Sequence, residues 1–213
     1  RAYGYLDPDS RRRAATVDDL FDLASLTKLF TATAFMRLVE RGQVGMGTPV
    51  GDVLPELRGE RQISVTEDPM SKTTLAANPA YAGQTVDTRR ITFWHLLTHT
   101  SGLAAWRSLY RENAEAEAVP LPHQVPAAQR QRRLGAILTR YDLAYPPGAH
   151  IVYSDLGLIL LGEAVARLAG SSLQAAVRAL VLEPLGLDRT TYNPLAHGGP
   201  EAHIAPTEFC QWR

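Results

Sequence analysis

A serine and a lysine three residues apart are the first pair in this chain that could do chemistry. Ser25 and Lys28 stand in the segment Phe-Asp-Leu-Ala-Ser-Leu-Thr-Lys at residues 21–28. Side chains three residues apart share one face of a helix, so these two can meet. A serine hydroxyl becomes a nucleophile when a neighbouring base takes its proton, and a lysine can do so if its surroundings lower its pKa from about 10.4. The pair therefore indicates a lysine-activated serine nucleophile.

Lysine is rare in this chain, which makes the spacing more specific. Of the 22 lysine and arginine residues only Lys28 and Lys72 are lysines. Arginine keeps its proton and cannot act as a base, so a lysine at this place hints that a titratable amine is required. The alternative is structural, with Ser25 as a helix N-cap and Lys28 as a solvated charge. Taken alone, the pair leaves both interpretations open.

The residues after Ser25 predict the helix that positions the pair. Apolar residues from Leu26 to Val39 recur at three- and four-residue spacing, and the pattern stops at Arg41-Gly42, a glycine end signal. Ser25 then falls in the first turn, where unpaired backbone N–H groups and the helix dipole favour developing negative charge. That location suits an attacking hydroxyl.

A tyrosine and an aspartate two residues apart form a second candidate cluster. Tyr153 and Asp155 follow the Tyr-Pro-Pro-Gly turn at residues 145–148 and precede an apolar helix predicted from Asp155 to Leu168, closed by Gly170. In a turn that caps a buried helix, both side-chain tips can enter one cleft. The alternative is that Asp155 only caps the helix and Tyr153 packs with its hydroxyl in water.

Two histidines, four residues apart, could meet a metal together. His95 and His99 lie in a short helix predicted over residues 93–99, with Thr92 as its N-cap and Gly102 in the turn after it. No neighbouring glutamate or obvious third ligand accompanies them. Paired structural histidines are therefore the favoured interpretation, and no metal site is expected.

Composition limits the class of protein. The 213 residues are 45% hydrophobic and 21% charged, which suits one globular domain or two closely packed lobes. The formal net charge is zero, so nothing indicates nucleic acid or an anionic membrane as partner, and no membrane span is visible. The single cysteine, Cys210, excludes an intrachain disulfide framework. A glycine cluster at residues 42–47 follows a helix rather than a strand, the wrong context for a phosphate loop.

The remaining segments predict elements from their periodicity and turn residues. These are a strand at residues 2–6, a short helical turn within 50–57, a polar excursion over 58–90, a mobile surface segment over 107–126, an amphipathic helix over 129–141 and a helix over 172–182. The opening at Arg1 rather than methionine, in what reads as a strand entered partway, indicates a piece of a longer protein.

Five segments in a shared order resemble the penicillin-recognising serine hydrolases, in particular the class C β-lactamase and esterase branch. Ser-x-x-Lys with companion motifs also marks the related class A enzymes. The five segments are Leu-Ala-Ser-Leu-Thr-Lys at 23–28, His-Leu-Leu-Thr-His-Thr-Ser-Gly-Leu at 95–103, Tyr-Pro-Pro-Gly at 145–148, Tyr-Ser-Asp at 153–155 with Leu-Leu-Gly at 160–162, and Pro-Leu-Gly-Leu at 184–187.

The resemblance implies an α+β fold in which a helical lobe packs on an antiparallel sheet lobe, with the serine helix between them. Residues 1–57 would form the entry to the sheet lobe and the nucleophile helix, 58–190 the mainly helical lobe, and 191–213 the return towards the sheet lobe. Most of the sheet, and the family's third motif of Lys or His followed by Thr or Ser and Gly, would lie beyond residue 213. We expect such a fragment to expose apolar helix faces and to aggregate if made alone.

For function, the resemblance implies hydrolysis of an ester, amide or β-lactam carbonyl through an acyl-enzyme, without a metal or organic cofactor. The substrate would be a small molecule or peptide-like. Ser25 would attack the carbonyl, Lys28 and Tyr153 would share the proton transfers, and the Ser25 N–H would form half of the oxyanion hole. A periplasmic, secreted or cell-envelope location is also implied.

Asp155 departs from the family's motif, which usually has asparagine at this substrate-binding position. An amide can donate a hydrogen bond to a substrate carbonyl, whereas a carboxylate only accepts, and its charge would hold Lys28 protonated. This favours an ester or peptide substrate, or one with a cationic group, over a β-lactam. It also leaves open a catalytically silent relative that binds peptide or cell-wall ligands. A helical interaction module that carries the motif by chance is the least favoured alternative.

Overall fold

Helices make up most of the regular structure. The computed structural model describes residues 1–7, 9–64, 66–67, 73–107, 109, 134–135, 141–197 and 203–207. The α-helices described over their full length are α1 (Thr27–Glu40), α2 (Val50–Val53), α3 (Phe93–Leu97), α4 (Asp155–Ala169) and α5 (Leu173–Val177). The other helical turns are 3-10 turns at Ala24–Leu26, Pro55–Leu57, Thr88–Arg90 and Pro194–His197, and a π-helical turn at Arg178–Leu182.

Four short strands form two separate antiparallel pairs inside the polar excursion predicted over residues 58–90. The strands are β1 (Glu60–Gln62), which pairs with β4 (Thr85–Asp87), and β2 (Thr66–Glu67), which pairs with β3 (Thr74–Leu75). A two-stranded pair is at best marginally stable by itself. The β1–β4 pair is supported by the core, since Val86 and the adjacent Ile63 are buried.

Helices α1 and α4 pack against each other at the centre of the core. The buried residues of α1 recur at helical spacing and are Thr31, Ala34, Phe35 and Leu38. Phe35 lies against Phe93 of α3, with ring centroids 4.7 Å apart. Gly162 allows α5 to approach α4, because a Cβ there would lie 3.0 Å from a methyl group of Leu173.

The exposed side of α1 differs from the sequence pattern. Leu26 and Leu29 belong to the apolar repeat, yet they are 57% and 63% exposed, and Met36 is 39% exposed. Helix α4 packs against α1, and the buried residues of α1 lie on its other side, so these side chains point away from the described core. These apolar side chains on the opposite side of α1 are left open to solvent, with the exposed Thr33 between Leu29 and Met36.

The predicted helices are largely confirmed. Helix α4 ends one residue beyond the predicted Leu168, and Gly170 closes it in the left-handed conformation at φ 62°. The helix predicted over 172–182 is found as α5 followed by the π-helical turn, in which the Glu183 N–H reaches back five residues to the Arg178 carbonyl. The wider turn arises from this i to i+5 hydrogen bond.

Other predictions need correction. The strand at residues 2–6 is reduced to one antiparallel bridge between Tyr5 and Ala14, because the chain turns back after it and only this pair aligns. The helical turn within 50–57 is split at Leu54, whose backbone is pushed out of the helical region by the following Pro55. The segments predicted over 107–126 and 129–141 lie mostly outside the described residues.

Membrane-spanning length is not reached by any one helix in the part of the chain that the structure describes. Helix α4 and the helical stretch Leu173–Leu182 meet the criteria of length and composition only together, and a bend of 78° separates them.

Candidate active site

Ser25 and Lys28 meet at the N-terminal end of α1, as their spacing predicts. Ser25 lies in the 3-10 turn that leads into α1, immediately before the α-helix itself. The Lys28 ammonium donates a hydrogen bond of 3.0 Å to the Ser25 hydroxyl oxygen. Ser25 is exposed, whereas the Lys28 side chain is only 22% exposed. An incoming molecule can therefore reach the hydroxyl while the amine stays sheltered beside it.

The residue before Ser25 is held in a strained conformation. Ala24 has a φ of 44°, in the left-handed region that residues with a Cβ rarely adopt. The Asp22 carboxylate accepts a hydrogen bond of 2.8 Å from the Ala24 N–H and holds the turn. Strained backbone of this kind clusters at functional sites. Here it sets the direction in which the chain enters α1 and so places Ser25.

The turn before α4 brings Tyr153 and Asp155 to the same pair. The Lys28 Nζ lies 2.8 Å from Asp155 Oδ1 and 5.0 Å from the centroid of the Tyr153 ring. The Lys28 and Ser25 side chains also influence the pKa of the Tyr153 phenol, which places this side chain beside both. The side chains of Ser25, Tyr153 and Asp155 thus surround the amine of Lys28.

Backbone hydrogen bonds between residues 99–105 and 144–155 hold this turn in place. They join the Ala144 N–H to the Gly102 carbonyl (2.7 Å), Gly148 to Thr100 (2.8 Å), Val152 to His99 (2.9 Å) and Asp155 to Ala105 (2.9 Å). Gly102 has a φ of 85°, and a Cβ there would lie 2.3 Å from the Tyr145 carbonyl oxygen. The glycine is therefore required for this close approach. Residues 99–105 and 144–155, which are distant in sequence, thus together support the turn that carries Tyr153.

Ser154, which sequence reasoning passed over, is the residue that caps α4. Its hydroxyl accepts a hydrogen bond from the Gly157 N–H and donates one of 2.7 Å to the Ala104 carbonyl. It is 1% exposed. The alternative that Asp155 only caps the helix is wrong, because Asp155 is the first helical residue and its carboxylate contacts Lys28. A serine directly before an apolar helix was the signal that could have identified the cap.

His99 is a second residue at the site that sequence reasoning did not place there. Helix α3 ends at Leu97, and His99 has a φ of 57°, so His95 and His99 do not share a helix face. The His99 Nδ1 accepts a hydrogen bond of 3.0 Å from the Ser154 N–H, while the His95 Nδ1 accepts one of 3.1 Å from the Thr92 N–H. Both histidines have structural partners. Among the described residues, no cluster of three or more His, Cys, Asp or Glu side chains is placed to hold a metal.

The charge state of Lys28 differs from that of a lysine base. Partial burial lowers the pKa of Lys28, but its hydrogen bonds with Asp155 and Tyr153, together with the charge of Asp155, outweigh burial and raise it. The lowered pKa that a lysine base requires is therefore not found, and the prediction that the charge of Asp155 would hold Lys28 protonated is confirmed. Hydrogen bonds with Lys28 and Ser25 lower the pKa of Tyr153. Tyr153 therefore ionises more readily than an isolated tyrosine, and its phenolate can accept a proton beside Ser25.

A groove of about 810 Å³ adjoins the cluster. It begins at Lys28 and Asp155, follows α1 and α4, and reaches the turn before α5. Most of its wall is apolar and includes Leu158, Ile159, Ala166 and Leu173. Farther along, Arg167 and Glu163 form an ion pair of 2.8 Å. The site thus borders a space suited to an apolar group.

The chain is similar to known proteins along most of its length. The chain is 34% identical over 192 residues to esterase EstB of Burkholderia gladioli, covering 88% of this chain and 42% of the esterase. It is 29% identical over 214 residues to an N-acetylmuramyl-L-alanine amidase of Bacillus subtilis (strain 168), covering 97% of this chain and 42% of the amidase. The chain therefore spans less than half the length of these relatives.

The fold and the family follow from two further matches. The structure of a class C beta-lactamase superposes with a TM-score of 0.62 at 23% identity, covering 95% of this chain and 44% of that one. This likeness confirms the predicted β-lactamase-like α+β fold. A protein-family model described as Beta-lactamase matches residues 1–208. With a match over nearly all of its length, this chain belongs to the beta-lactamase family.

Proposed function

We propose that the protein is a serine hydrolase that cleaves an ester, amide or β-lactam carbonyl through an acyl-enzyme on Ser25. The observation that carries this proposal is the contact of 3.0 Å between Lys28 Nζ and the exposed Ser25 hydroxyl, beside a tyrosine whose pKa is lowered. The esterase and amidase among the relatives support the reaction class.

The first half of the reaction forms the acyl-enzyme. The Tyr153 phenolate takes the hydroxyl proton of Ser25 while Oγ bonds to the carbonyl carbon, and the carbonyl π electrons move to the oxygen. The Ser25 N–H donates to that oxyanion. The intermediate then expels the alcohol or amine, which receives its proton from the Tyr153 hydroxyl. Lys28 remains an ammonium and stabilises the phenolate at the start and end of this step.

The second half returns the protein to its starting state. Water attacks the acyl carbon while Tyr153 takes one of its protons, and a second tetrahedral intermediate forms. Its collapse breaks the bond to Ser25 Oγ, which recovers a proton from Tyr153, and the carboxylic acid leaves. Each proton taken in one step is given back in the next, so no external acid or base is needed.

The apolar groove favours an ester substrate with an apolar acyl group. From Asp155 to Ala166 the groove follows α4 for about 16 Å, at a rise of about 1.5 Å per residue. We expect kcat/KM for p-nitrophenyl esters to increase with acyl length up to about eight carbons, by up to about fourfold per buried CH₂, or about 0.8 kcal/mol. Ala166→Trp should remove this gain and spare acetate. Ala175→Trp, on the exposed side of α5, should leave the profile unchanged.

Intact-mass labelling tests the proposed nucleophile. Full-length protein is treated with a fluorophosphonate and, separately, with a penicillin, beside the variants Ser25→Ala and Ser10→Ala. We expect a single fluorophosphonate adduct that maps to Ser25 in the wild type and in Ser10→Ala, and none in Ser25→Ala. A penicillin adduct in addition would extend the substrate class to β-lactams.

A catalytically silent relative that binds peptide or cell-wall ligands is the second candidate, favoured by Asp155 at the position where the family usually has asparagine. Absence of an adduct with both probes on folded, full-length protein would overturn the hydrolase proposal. Calorimetric titration with a muropeptide would then test binding without turnover.

A further inference from the structure

The imidazole of His99 contacts the Tyr153 segment at two points. Its ring lies against the Tyr153 ring, with centroids 4.7 Å apart and planes inclined by 37°. Its Nδ1 accepts the backbone N–H of Ser154, the next residue in the chain, at 3.0 Å. Tyr153 itself is 53% exposed. A half-exposed phenol keeps rotamer freedom unless a neighbour restricts it, and His99 is placed to do so.

The backbone holds His99 in an uncommon conformation to make these contacts. Its φ of 57° lies in the left-handed region, where histidine occurs more often than most residues but still infrequently. The Val152 N–H donates to the His99 carbonyl at 2.9 Å, so both its backbone and its side chain face the same turn. The strain is thus maintained where it orients the segment that carries Tyr153.

The proton of the neutral ring is assigned by this geometry. Because Nδ1 accepts from Ser154, the proton of the neutral imidazole lies on Nε2, and protonation of Nδ1 would break the bond. The groups that face the ring are Lys28 from α1, Asp155 from α4 and the Tyr153 phenol. Burial and the charge of Lys28 lower the pKa of His99, and Asp155 opposes them only in part. The acceptor form is therefore maintained at neutral pH.

We propose that His99 is a positioning residue that holds Tyr153 in reach of Ser25 and Lys28, by supporting its ring and by fixing the backbone of Ser154. The proposal rests on the proposed hydrolase function, in which Tyr153 transfers the protons. His99 touches neither Ser25 nor the carbonyl in this role and acts only through Tyr153.

Three variants separate the two contacts. His99→Asn keeps an acceptor near the Nδ1 position and tolerates the left-handed backbone, but it loses the ring. His99→Phe keeps a ring and loses the acceptor. His95→Asn is the matched control, since it makes the same substitution at the histidine that binds Thr92 instead.

Two measurements in the full-length protein report on Tyr153. The first is the rate of fluorophosphonate labelling of Ser25. The second is the ionisation of Tyr153 itself, obtained as the tyrosinate absorbance of each protein minus that of its Tyr153→Phe counterpart across a pH titration. The absorbance titration requires no turnover, so it tests the positioning even if Ser25 does not react.

We expect His99→Asn and His99→Phe to slow labelling by about tenfold to a hundredfold, the scale of a misplaced catalytic group. The pH at the midpoint of the Tyr153 ionisation should rise towards about 10, the ordinary pKa of a tyrosine without such neighbours. His95→Asn should change neither quantity. In a Tyr153→Phe background, His99→Asn should slow labelling by less than about twofold, because the two residues act as a unit.

An unchanged Tyr153 midpoint in both His99 variants would overturn the positioning role. So would an equal loss of labelling in the presence and absence of Tyr153, which would mark His99 as a general support of the fold. If Ser25 never labels but the midpoint shifts, the positioning stands and the hydrolase proposal fails.

Discussion

Asp155 sets the charge of the candidate site because its carboxylate lies 2.8 Å from the amine that contacts Ser25. A carboxylate cannot donate a hydrogen bond to a substrate carbonyl, and its own charge is already paired with Lys28. That pairing weakens the sequence-based idea of a cationic substrate group at this position. It leaves Tyr153, whose pKa is lowered, as the residue best able to accept a proton.

Asp155→Asn is expected to shift the pH dependence of Ser25 labelling to lower pH. Asp155 raises the pKa of Lys28, and its charge also acts to raise that of Tyr153. Without the carboxylate both groups lose protons at lower pH. The labelling rate rises with pH as Tyr153 ionises and falls as Lys28 loses its proton, so both limbs of the pH profile move to lower pH. Labelling rates between about pH 6 and 11 cover both ordinary pKa values. The rate of acylation by penicillin should also rise relative to the rate with p-nitrophenyl esters, since the amide of Asn at position 155 can donate a hydrogen bond to a lactam carbonyl.

The control for this shift is Glu163→Gln, which removes a carboxylate that pairs with Arg167 farther along the groove. It should leave the pH profile in place. If the pH profile of Asp155→Asn matches that of the wild type, the carboxylate does not set the pKa of Lys28.

Ala24 gives a second prediction at the scale of one residue. A left-handed conformation costs a residue with a Cβ about 1–2 kcal/mol, and glycine avoids that cost while adding about 0.4–1 kcal/mol of unfolded-chain entropy. Ala24→Gly should therefore raise the free energy of unfolding by about 0.5–1 kcal/mol. Ala24→Val, with a branched Cβ at positive φ, should lower it. Urea denaturation measures both, and a destabilised glycine variant would contradict the assignment of strain.

At the scale of elements, the site depends on where α1 and α4 meet. Lys28 belongs to the first turns of α1 and Asp155 to the first turn of α4, so packing between the two helices sets the distance between amine and carboxylate. Residues 99–105 then fix the turn that precedes α4. Neither helix alone would assemble the cluster.

Ser154 joins these elements, and Ser154→Ala should destabilise the protein by about 2–4 kcal/mol. Loss of an N-cap costs about 0.5–2 kcal/mol, and a buried carbonyl left without its donor about 1–3 kcal/mol. Ser172→Ala is the matched control, because Ser172 caps α5 but is exposed and should cost about 1 kcal/mol. Urea denaturation compares the two variants. Equal losses would mean that the bond from Ser154 to Ala104 contributes little.

At the scale of the whole molecule, the exposed side chains of Leu26, Leu29 and Met36 along α1 predict self-association. Residues 1–213 produced as an isolated polypeptide should form oligomers or aggregates in size-exclusion chromatography with light scattering, because apolar side chains exposed along one side of a helix can pack against another copy. Leu29→Gln combined with Met36→Gln should increase the monomer fraction.

Ile151→Gln serves as the comparison for those side chains. Ile151 is 81% exposed but lies in the turn before α4, so its replacement should change the monomer fraction little. A monomeric wild-type product that melts cooperatively would refute the predicted association.

Local patterns in the sequence predicted much of this site. The pairing of Ser25 with Lys28 depends only on helix periodicity, which acts over three residues, and the C-terminal end of α4 is marked by Gly170. The strand expected at residues 2–6 failed because strand pairing depends on partners that local sequence does not specify.

The sequence by itself determined the contact between Ser25 and Lys28, the apolar helices and the order of motifs that marks the family, because each arises from neighbours along the chain. Only the tertiary structure decided that the Asp155 carboxylate lies 2.8 Å from the Lys28 amine and that the His99 ring contacts Tyr153. Electrostatic and packing energies depend on distances in space, and the Asp155 carboxylate and the His99 ring reach the site from segments far from Ser25 in the chain.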